Sequence, residues 1–201
     1  RVVTQRRGVR HFDLRVEGPV RKLGQVSKKP EVLRWLWGRL EAACALSSRK
    51  ERVAVSVGSL KTLAYQNLLP HEVSGTVLVN YLDEKVADRV VVELRNLLES
   101  KDGFKARLSL LTDRPAMVRR SGNEALVAKL GGAAARWELP FDQDSSLLPS
   151  VAGLVPAGTP VVCGVGPAAT EAFTTHEAVE RISVVQKTLL LAQFLMTESN
   201  A

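Results

Sequence analysis

Apolar and polar side chains alternate along four short stretches in the first half of the sequence. Alternation with a period of two predicts strands that bury one face, and Gly, Pro and Asp between them predict turns. The four stretches are residues 9–16, 53–57, 73–82 and 104–111. The first ends at Gly18-Pro19, and the last follows an Asp102-Gly103 turn.

Between these strands, apolar residues recur at spacings of three and four, the period of a helix with one buried face. Pro30 opens the first helix, because proline is tolerated in a first helical turn, and Ser47-Ser48 ends it. Asp83 caps the second helix, residues 84–99. The order strand, helix, strand, strand, helix, strand is that of the split βαβ arrangement. The sequence therefore predicts a ferredoxin-like βαββαβ domain in residues 1–115.

Residues 116–201 contain fewer strand patterns and predict part of an α/β domain, so that the whole chain is α/β in the broad, α+β sense. A short helix is predicted from Ser121 to Leu130, ended by Gly131-Gly132. A short strand is predicted at residues 133–139. A loop carrying Asp142 and Asp144 is expected to follow it.

The closing stretch of the chain predicts a buried strand, a glycine–proline loop and a long helix. Val161–Val165 is a continuous apolar run, as expected of a strand covered on both faces. Thr174 and Glu177 have the spacing of a capping box and predict the helix start. The apolar face of this helix is predicted to be Val179, Ile182, Val185, Leu189, Ala192 and Leu195.

Composition is that of a globular protein: 201 residues, of which 45% are hydrophobic and 24% charged. The net charge of +7 is concentrated near the N-terminus, a pattern found both in nucleic-acid binding and in ordinary solvated faces. The predicted sheet contains only Phe12, Tyr81 and Phe104 as aromatics, without the pairing of RNA-recognition sheets. Nucleic-acid binding is therefore the less favoured interpretation.

Cys44 and Cys163 lie in apolar contexts, which is typical of buried free thiols in a reducing compartment. No apolar run is long enough to span a bilayer and the first residues contain no secretory h-region, so a cytoplasmic protein without membrane contact is predicted. Two cysteines and three histidines are too few for a self-contained zinc site of the usual kind. The sequence begins at Arg1 within a strand-like pattern, which favours a trimmed chain or a fragment.

Four motifs occur in a recognisable order. They are residues 6–19, residues 55–82 with Asn67–Pro70 as asparagine-x-x-proline, residues 141–146 with Asp144, and residues 160–177 with Gly164, Gly166 and Pro167. Together they resemble the di-zinc amidohydrolases, the family of acetylornithine deacetylase, succinyl-diaminopimelate desuccinylase, aminoacylase and glutamate carboxypeptidase. The resemblance covers nearly the whole chain. It implies a lid, or dimerisation, domain followed by the C-terminal part of a zinc-peptidase-like catalytic domain, residues 116–201, with zinc as the family cofactor.

The closing motif of that family contains a metal-ligating histidine, and Phe173 stands in its place. A phenyl ring has no lone pair to offer zinc, so the resemblance implies that this ligand is absent. His176 follows in the predicted first helical turn. It is either a substitute ligand or a structural or solvated histidine, which is the commoner situation.

The lid of that family supplies further site residues. Gly18 and Gly24 frame the lid histidine pattern, and Lys22 occupies the histidine position. A lysine there can stabilise an oxyanion, or it is a surface lysine that has lost the role. The substrate-carboxylate arginine falls at or near Asn80, which cannot make a bidentate charged clamp. Asn67 completes the candidate lid residues.

Trp35 and Trp37 widen the apolar face of the first predicted helix. In the resembled family an edge strand and a helix of the lid join two protomers. The two tryptophans are therefore candidate contacts of a homodimer, with core packing as the other interpretation.

Three functional hypotheses follow. The favoured one is a fragment or degenerate relative of a metal-dependent amidohydrolase, a pseudoenzyme without a metal of its own, that acts through dimerisation or binding. Its ligands would be acyl amino acids or peptides. The first alternative is an active zinc hydrolase formed with a separate N-terminal half, which holds the remaining metal ligands and the general base in the family. The second alternative is a basic nucleic-acid-binding module with a ferredoxin-like fold.

Overall fold

The computed structural model describes residues 1–63 and 65–198, and the chain divides into two compact units. Unit 1 consists of Arg1–Arg6 together with the chain from Met117 onward, and unit 2 is Arg7–Ala116. The strands are β1 (Val2–Arg6), β2 (Gly8–Glu17), β3 (Ala54–Thr62), β4 (Glu72–Tyr81), β5 (Lys105–Arg114), β6 (Gln143–Ser146), β7 (Ala169–Thr170) and β8 (Ala178–Val179). The helices are α1 (Val32–Cys44), α2 (Glu84–Leu97), α3 (Asn123–Ala135) and α4 (Arg181–Glu198), with a short 3-10 helix at Val151–Leu154.

Unit 2 is a four-stranded antiparallel sheet in the order β3-β4-β2-β5, with α1 and α2 packed against it. This is the ferredoxin-like arrangement, so the predicted fold class is confirmed. Asp83 caps α2, because its side chain accepts a hydrogen bond of 2.8 Å from the Lys85 N–H. The largest difference is β3, which continues to Thr62 although the alternation suggested an end near Val57.

The core of unit 2 consists of the inward side chains of the central strands and one face of each helix. In β2 and β4 every second residue is buried, as shown by Leu14, Val16, Val77 and Val79. Side chains on alternate positions of a strand point to the same face, so this pattern covers one side of the sheet only. Burial of each such side chain stabilises the fold by roughly 1.5–3 kcal/mol.

Unit 1 is built around a short parallel pair formed by β1 and β6, with Val2 opposite Gln143. Residues 1–6 thus belong to unit 1, whereas the sequence grouped residues 1–115 together and 116–201 apart. The Arg6 N–H donates to the Met117 carbonyl at 2.9 Å, and the Met117 N–H donates back at 3.0 Å. Val2 lies in an apolar cluster with Leu130 of α3 and Leu190 of α4.

Helix α3 runs straight through Gly131 and Gly132, which were expected to end it. A Cβ at Gly131 would lie 3.3 Å from the Phe141 ring, so this glycine permits close packing against Phe141. The strand predicted at residues 133–139 is instead the last turn of α3 and the turn that follows. The segment around Asp144, predicted as a loop, is strand β6.

The closing stretch also differs from its prediction. Val161–Val165 is not a strand, and its only ladder contact within the described residues is a single bridge between Val3 and Cys163. The Thr174–Glu177 pattern does not start a helix, because α4 begins at Arg181. These residues form the loop of a small hairpin between β7 and β8.

Helix α4 buries a different face from the predicted one. Ser183 and Leu190 are buried, whereas Ile182, Val185 and Leu195 of the predicted face are exposed. The helix is apolar on most sides, so periodicity could not identify the buried face. Among the residues that the structure describes, no helix is both long and apolar enough to cross a membrane.

Candidate functional site

Lys22 and Asn67 lie side by side at one end of unit 2, on two loops that pair through their backbones. Lys22 forms an antiparallel bridge with Leu68, and the Leu23 N–H donates to the Asn67 carbonyl at 2.9 Å. Asn67 has a φ of 61°, a left-handed conformation that asparagine tolerates better than most residues. Both side chains are exposed. We call this pair of loops, residues 18–29 and 65–70, the lid tip.

Arg21 anchors the lid tip from inside. Its buried guanidinium donates to the Lys29 carbonyl at 2.7 Å and to the Pro30 carbonyl at 3.0 Å, and its own carbonyl accepts from the Leu69 N–H at 2.9 Å. The loop is thereby tied to the start of α1. Nothing in the local sequence pattern marks Arg21 as buried.

Asn80 lies at the opposite end of β4 from the lid tip. Its Oδ1 accepts a 3.2 Å hydrogen bond from Arg7, and its Nδ2 donates to the Gly8 carbonyl at 3.1 Å. Asn80 is eight residue steps of about 3.4 Å from Glu72, so it is on the order of 27 Å from the end of β4 that leads to the lid tip. Lys22 and Asn67 are brought together, and Asn80 is not brought to them.

Phe173 and His176 are on the exposed hairpin loop between β7 and β8 in unit 1. Phe173 is 81% exposed and has a φ of 68°, and its N–H donates to the Glu177 carboxylate at 3.0 Å. Thr174 Oγ1 accepts from the His176 N–H at 3.1 Å. The two side chains expected to build a capping box therefore satisfy loop amides, and His176 is in this loop, not in a helical turn.

Asp144 and Gly164 lie on either side of Val3 in β1. Asp144 is opposite Val3 in the β1–β6 pair, and a Cβ on Gly164 would lie 2.9 Å from Val3 Cγ2. The Ser145 N–H and then the Arg1 guanidinium, at 2.7 and 3.0 Å, hold the pKa of Asp144 below its usual value. Gly166 and Pro167 are exposed in the segment that leads into β7.

Cys163 is a half-buried thiol whose environment the sequence did not reveal. Burial raises its pKa, but the Ser150 hydroxyl at 3.5 Å and the positive charge of Arg6 outweigh burial and lower it. Arg6 itself donates to Ser146 Oγ at 3.1 Å. Residues far apart in sequence create this environment, so no local motif announces it.

The two tryptophans of α1 have separate roles. Trp35 is buried and stacks on Phe104, with ring centroids 4.7 Å apart. The Arg39 guanidinium lies over the Trp35 ring, 3.6 Å from its centroid. Trp37 is 62% exposed and donates from Nε1 to Glu41 at 2.9 Å. Core packing therefore accounts for Trp35, and Trp37 alone remains available for an interface.

A zinc site does not fit the side chains of the described residues. Within 1–63 and 65–198, no group of three or more His, Cys, Asp or Glu side chains is placed to hold a metal ion. His176 is in unit 1, whereas His11 and His71 are in unit 2. Phe173 supplies no donor atom at the position where the resemblance implies one.

No protein-family model matches the chain, and no curated protein matches it in sequence. Solved structures do match. An aminopeptidase PepT from Bacillus cereus has a TM-score of 0.76 at 16% identity, over 96% of this chain and 52% of its own. A tripeptidase from Staphylococcus aureus gives 0.77 at 18% identity, over 96% and 52%. An amidase of the hydantoinase/carbamoylase family from Burkholderia vietnamiensis gives 0.75 at 15% identity, over 97% and 48%.

The chain has the fold of these peptidases and amidases. It spans about half the length of each of them. The finding is broader than the sequence resemblance, which named deacetylase, desuccinylase, aminoacylase and carboxypeptidase relatives. A shared fold at this identity establishes architecture, and function has to be argued from the residues.

Proposed function

We propose that this chain is the lid domain and C-terminal catalytic-type segment of a protein related to metal-dependent amidohydrolases and peptidases. It acts through assembly and ligand binding and is not a hydrolase by itself. The observation that carries this proposal is Phe173, exposed on the β7–β8 loop at the place where the resemblance implies a metal ligand. Phenylalanine offers no donor atom for a metal ion at this place.

The lid tip supports a binding role. Lys22 and Asn67 are exposed on the two paired loops of the lid tip and offer a cation and an amide there. Val20, Leu23 and Val26 on the same loop are exposed apolar side chains. A carboxylate attached to an apolar body, as in an N-acyl amino acid or a small peptide, matches this combination.

The exposed face of α4 supports an assembly role for unit 1. Ile182, Val185 and Leu195 are more than one-third exposed on a helix whose opposite side is buried. Contiguous apolar surface of this kind marks an interaction site in soluble proteins. The occupant we propose is the remaining, N-terminal half of the catalytic-type domain, since the matching structures are about twice as long as this chain.

Homodimerisation is proposed for unit 2 through α1 and the neighbouring sheet edge. Strand β3 is at one edge of the sheet, and α1 contacts it. Trp37 projects from α1 as a large exposed aromatic, the residue type enriched at interfaces. Within the described residues the outer edge of β3 pairs with no other strand, so its backbone groups are available to a second copy.

The catalytic half of the proposal is tested by assaying the purified chain with N-acetyl amino acids and dipeptides in the presence of added zinc. No turnover above the zinc-containing buffer is expected. Chelator-sensitive hydrolysis that is lost in both Lys22→Ala and His176→Ala would contradict the proposal.

Ligand binding is tested with the same compounds by calorimetry or by chemical-shift titration. Lys22→Ala is expected to raise the dissociation constant about tenfold, because a hydrogen bond to a charged group contributes about 1.5 kcal/mol. Lys28→Ala, an exposed lysine on the same loop, is the matched control and should leave the constant unchanged. An equal rise of the dissociation constant in both variants would show that the ligand is attracted by the overall positive charge of the loop and not by Lys22 itself.

Assembly is tested by light scattering coupled to size-exclusion chromatography. The wild-type chain should elute as a dimer, and Trp37→Lys should shift the equilibrium towards monomer. Val92→Lys, at a comparably exposed apolar position on α2, is the control and should remain dimeric. A concentration-independent monomer for the wild type would remove the dimer from the proposal.

A further inference from the structure

A small polar cavity lies at the N-terminus of α3 in unit 1. It is lined by Thr4, Arg119, Arg120, Asn123, Glu124, Val127 and Gln143. It offers about 70 Å³ of room for the centres of water molecules. One water needs roughly 10–15 Å³ by this measure, so the cavity has space for several waters or one small ion.

Two buried hydrogen-bonding atoms in this lining have no partner. Thr4 is 3% exposed and Asn123 is 4% exposed, and within the described residues neither Thr4 Oγ1 nor Asn123 Nδ2 has a hydrogen-bond partner. Asn123 Oδ1 is engaged by the Val161 N–H at 2.9 Å, which fixes the amide so that its nitrogen is the free end. Leaving such groups unsatisfied costs about 1–3 kcal/mol each, so a bound species that accepts from them is favoured.

The helix end adds further donors. The N-cap of α3 is Gly122, with a φ of 89° and no side chain to accept from the first-turn amides. The first N–H groups of a helix lack intrahelical partners, and with the helix dipole they favour an anion. Most helices satisfy these amides with a Ser, Thr, Asp or Asn cap, which this one lacks.

Arginines supply positive charge at the same place. Arg120 donates to the carbonyls of Val155, Pro156 and Thr159 at 2.7, 2.7 and 2.9 Å. These three contacts use part of its five N–H groups and leave its charge without a counter-ion among them, because carbonyls are neutral. Arg119, also in the lining, is exposed. Glu124 is the one carboxylate of the lining and opposes an anion.

We propose that this cavity is a binding site for a small tetrahedral oxyanion of the phosphate class. Asn123 Nδ2, Thr4 Oγ1 and the N–H groups of Glu124 and Ala125 donate to its oxygens, since the Asn123 N–H already donates to the Arg120 carbonyl at 3.2 Å. Arg119 and Arg120 balance its charge. The lining shares no residue with the lid tip or the β7–β8 loop, so the proposal is independent of the function proposed above. Free phosphate and the phosphate group of an organic ligand share this chemistry.

The test measures the binding of inorganic phosphate to the full chain by calorimetry. The shift in the thermal unfolding temperature, at constant ionic strength with chloride as reference, gives a second measurement. Thr4→Val removes a hydrogen-bond donor to the anion and Arg119→Gln removes a positive charge beside it, so each variant should raise the phosphate dissociation constant about tenfold. Asn123→Asp keeps the Oδ1 acceptor for Val161 but turns the free donor into an acceptor, and it should abolish binding. Glu124→Gln removes the opposing charge from an exposed position and should tighten binding.

Arg136→Gln is the matched control, since it removes the same charge at the exposed C-terminal end of the same helix. Its phosphate dissociation constant should change less than about twofold. Glycerol 3-phosphate separates the two sources: binding equal to that of phosphate indicates an organic phosphate ligand, and loss of binding indicates the free ion. The proposal is overturned if phosphate does not stabilise the wild type, or if Thr4→Val and Glu124→Gln bind it as the wild type does.

Discussion

The Tyr81 hydroxyl donates a hydrogen bond of 3.0 Å to Asp113 Oδ1, which joins the last residue of β4 to the far edge strand β5. Arg10 of β2 lies between them, with its Nε 3.0 Å from Asp113 Oδ2 and its guanidinium 5.2 Å from the Tyr81 ring centroid. Three strands are thereby tied together at the end of the sheet remote from the lid tip. Burial, and then the hydrogen bond to Asp113, raise the pKa of Tyr81 above its ordinary value.

Tyr81 should make stability depend on pH in the alkaline range. Because its folded pKa is higher than the unfolded value of 10.0, its contribution is present below that pH and is lost as the pH rises towards the folded pKa. Tyr81→Phe should remove this pH dependence and lower the free energy of unfolding by about 1–2 kcal/mol at neutral pH. Denaturant unfolding across the alkaline range checks both effects. Identical pH slopes in wild type and variant would contradict the assignment.

Arg10 and Arg15 give a comparison between a buried and an exposed ion pair on the same strand. Arg10 has a side chain 11% exposed and contacts Asp88 at 2.6 Å as well as Asp113, whereas Arg15 is 73% exposed and contacts Asp13 at 2.9 Å. Arg10→Met should destabilise unit 2 by about 1–3 kcal/mol, because it leaves the carboxylates of Asp88 and Asp113 without the cation they share. Arg15→Met should cost less than about 0.5 kcal/mol. Chemical denaturation of both variants measures the difference.

Phe173 stores backbone strain in an exposed loop. A left-handed conformation costs a residue with a Cβ roughly 1–2 kcal/mol, and the ring of Phe173 recovers little of this through burial. Phe173→Gly should therefore be more stable than Phe173→Ala by about 0.5–1 kcal/mol in thermal unfolding. The alanine variant is the control, since it loses the ring but keeps the strain. A glycine variant less stable than the alanine variant would contradict the strain.

Gly164 is required by its surroundings, whereas Gly166 is not. Gly164 has a φ of 72°, and a Cβ added to it would lie 2.9 Å from Val3 Cγ2. Nothing lies within 4 Å of a Cβ added to Gly166. Gly164→Ala should destabilise unit 1 by about 1–3 kcal/mol through strain and displacement of β1. Gly166→Ala should stay within about 0.5 kcal/mol of wild type. Thermal unfolding of the two variants, with circular dichroism to monitor folding, checks the contrast.

Unit 2 could be predicted from sequence because its elements follow local rules. The alternation through Val73, Val77 and Val79 is a direct consequence of a sheet with one buried face, and Asp83 is a cap recognised by its own neighbours. The lid tip could be predicted from the sequence only in part. Lys22 and Asn67 were identified by resemblance, but their pairing across the two loops depends on backbone contacts between distant residues.

Unit 1 resisted prediction because its elements depend on partners far along the chain. Strand β1 is defined by β6, about seven-tenths of the chain away. Gly131 lies inside α3, where its lack of a side chain allows close packing against Phe141. The Thr174–Glu177 spacing is the same in a capping box and in a hairpin loop, and only the position of α4 distinguishes them. The cavity that Asn123 and Thr4 line together was likewise not visible in the sequence.

The paired hydrogen bonds between Arg6 and Met117 have a consequence for how the two units share one chain. The polypeptide leaves unit 1 and re-enters it at adjacent residues, so unit 2 is an insertion whose ends meet at a single backbone bridge. Loop-closure entropy grows only slowly with the length inserted at such a point. Unit 2 is therefore removable in principle. A short turn joining Arg6 to Met117 would make unit 1 a continuous chain and would leave the strand pairing of unit 1 unchanged.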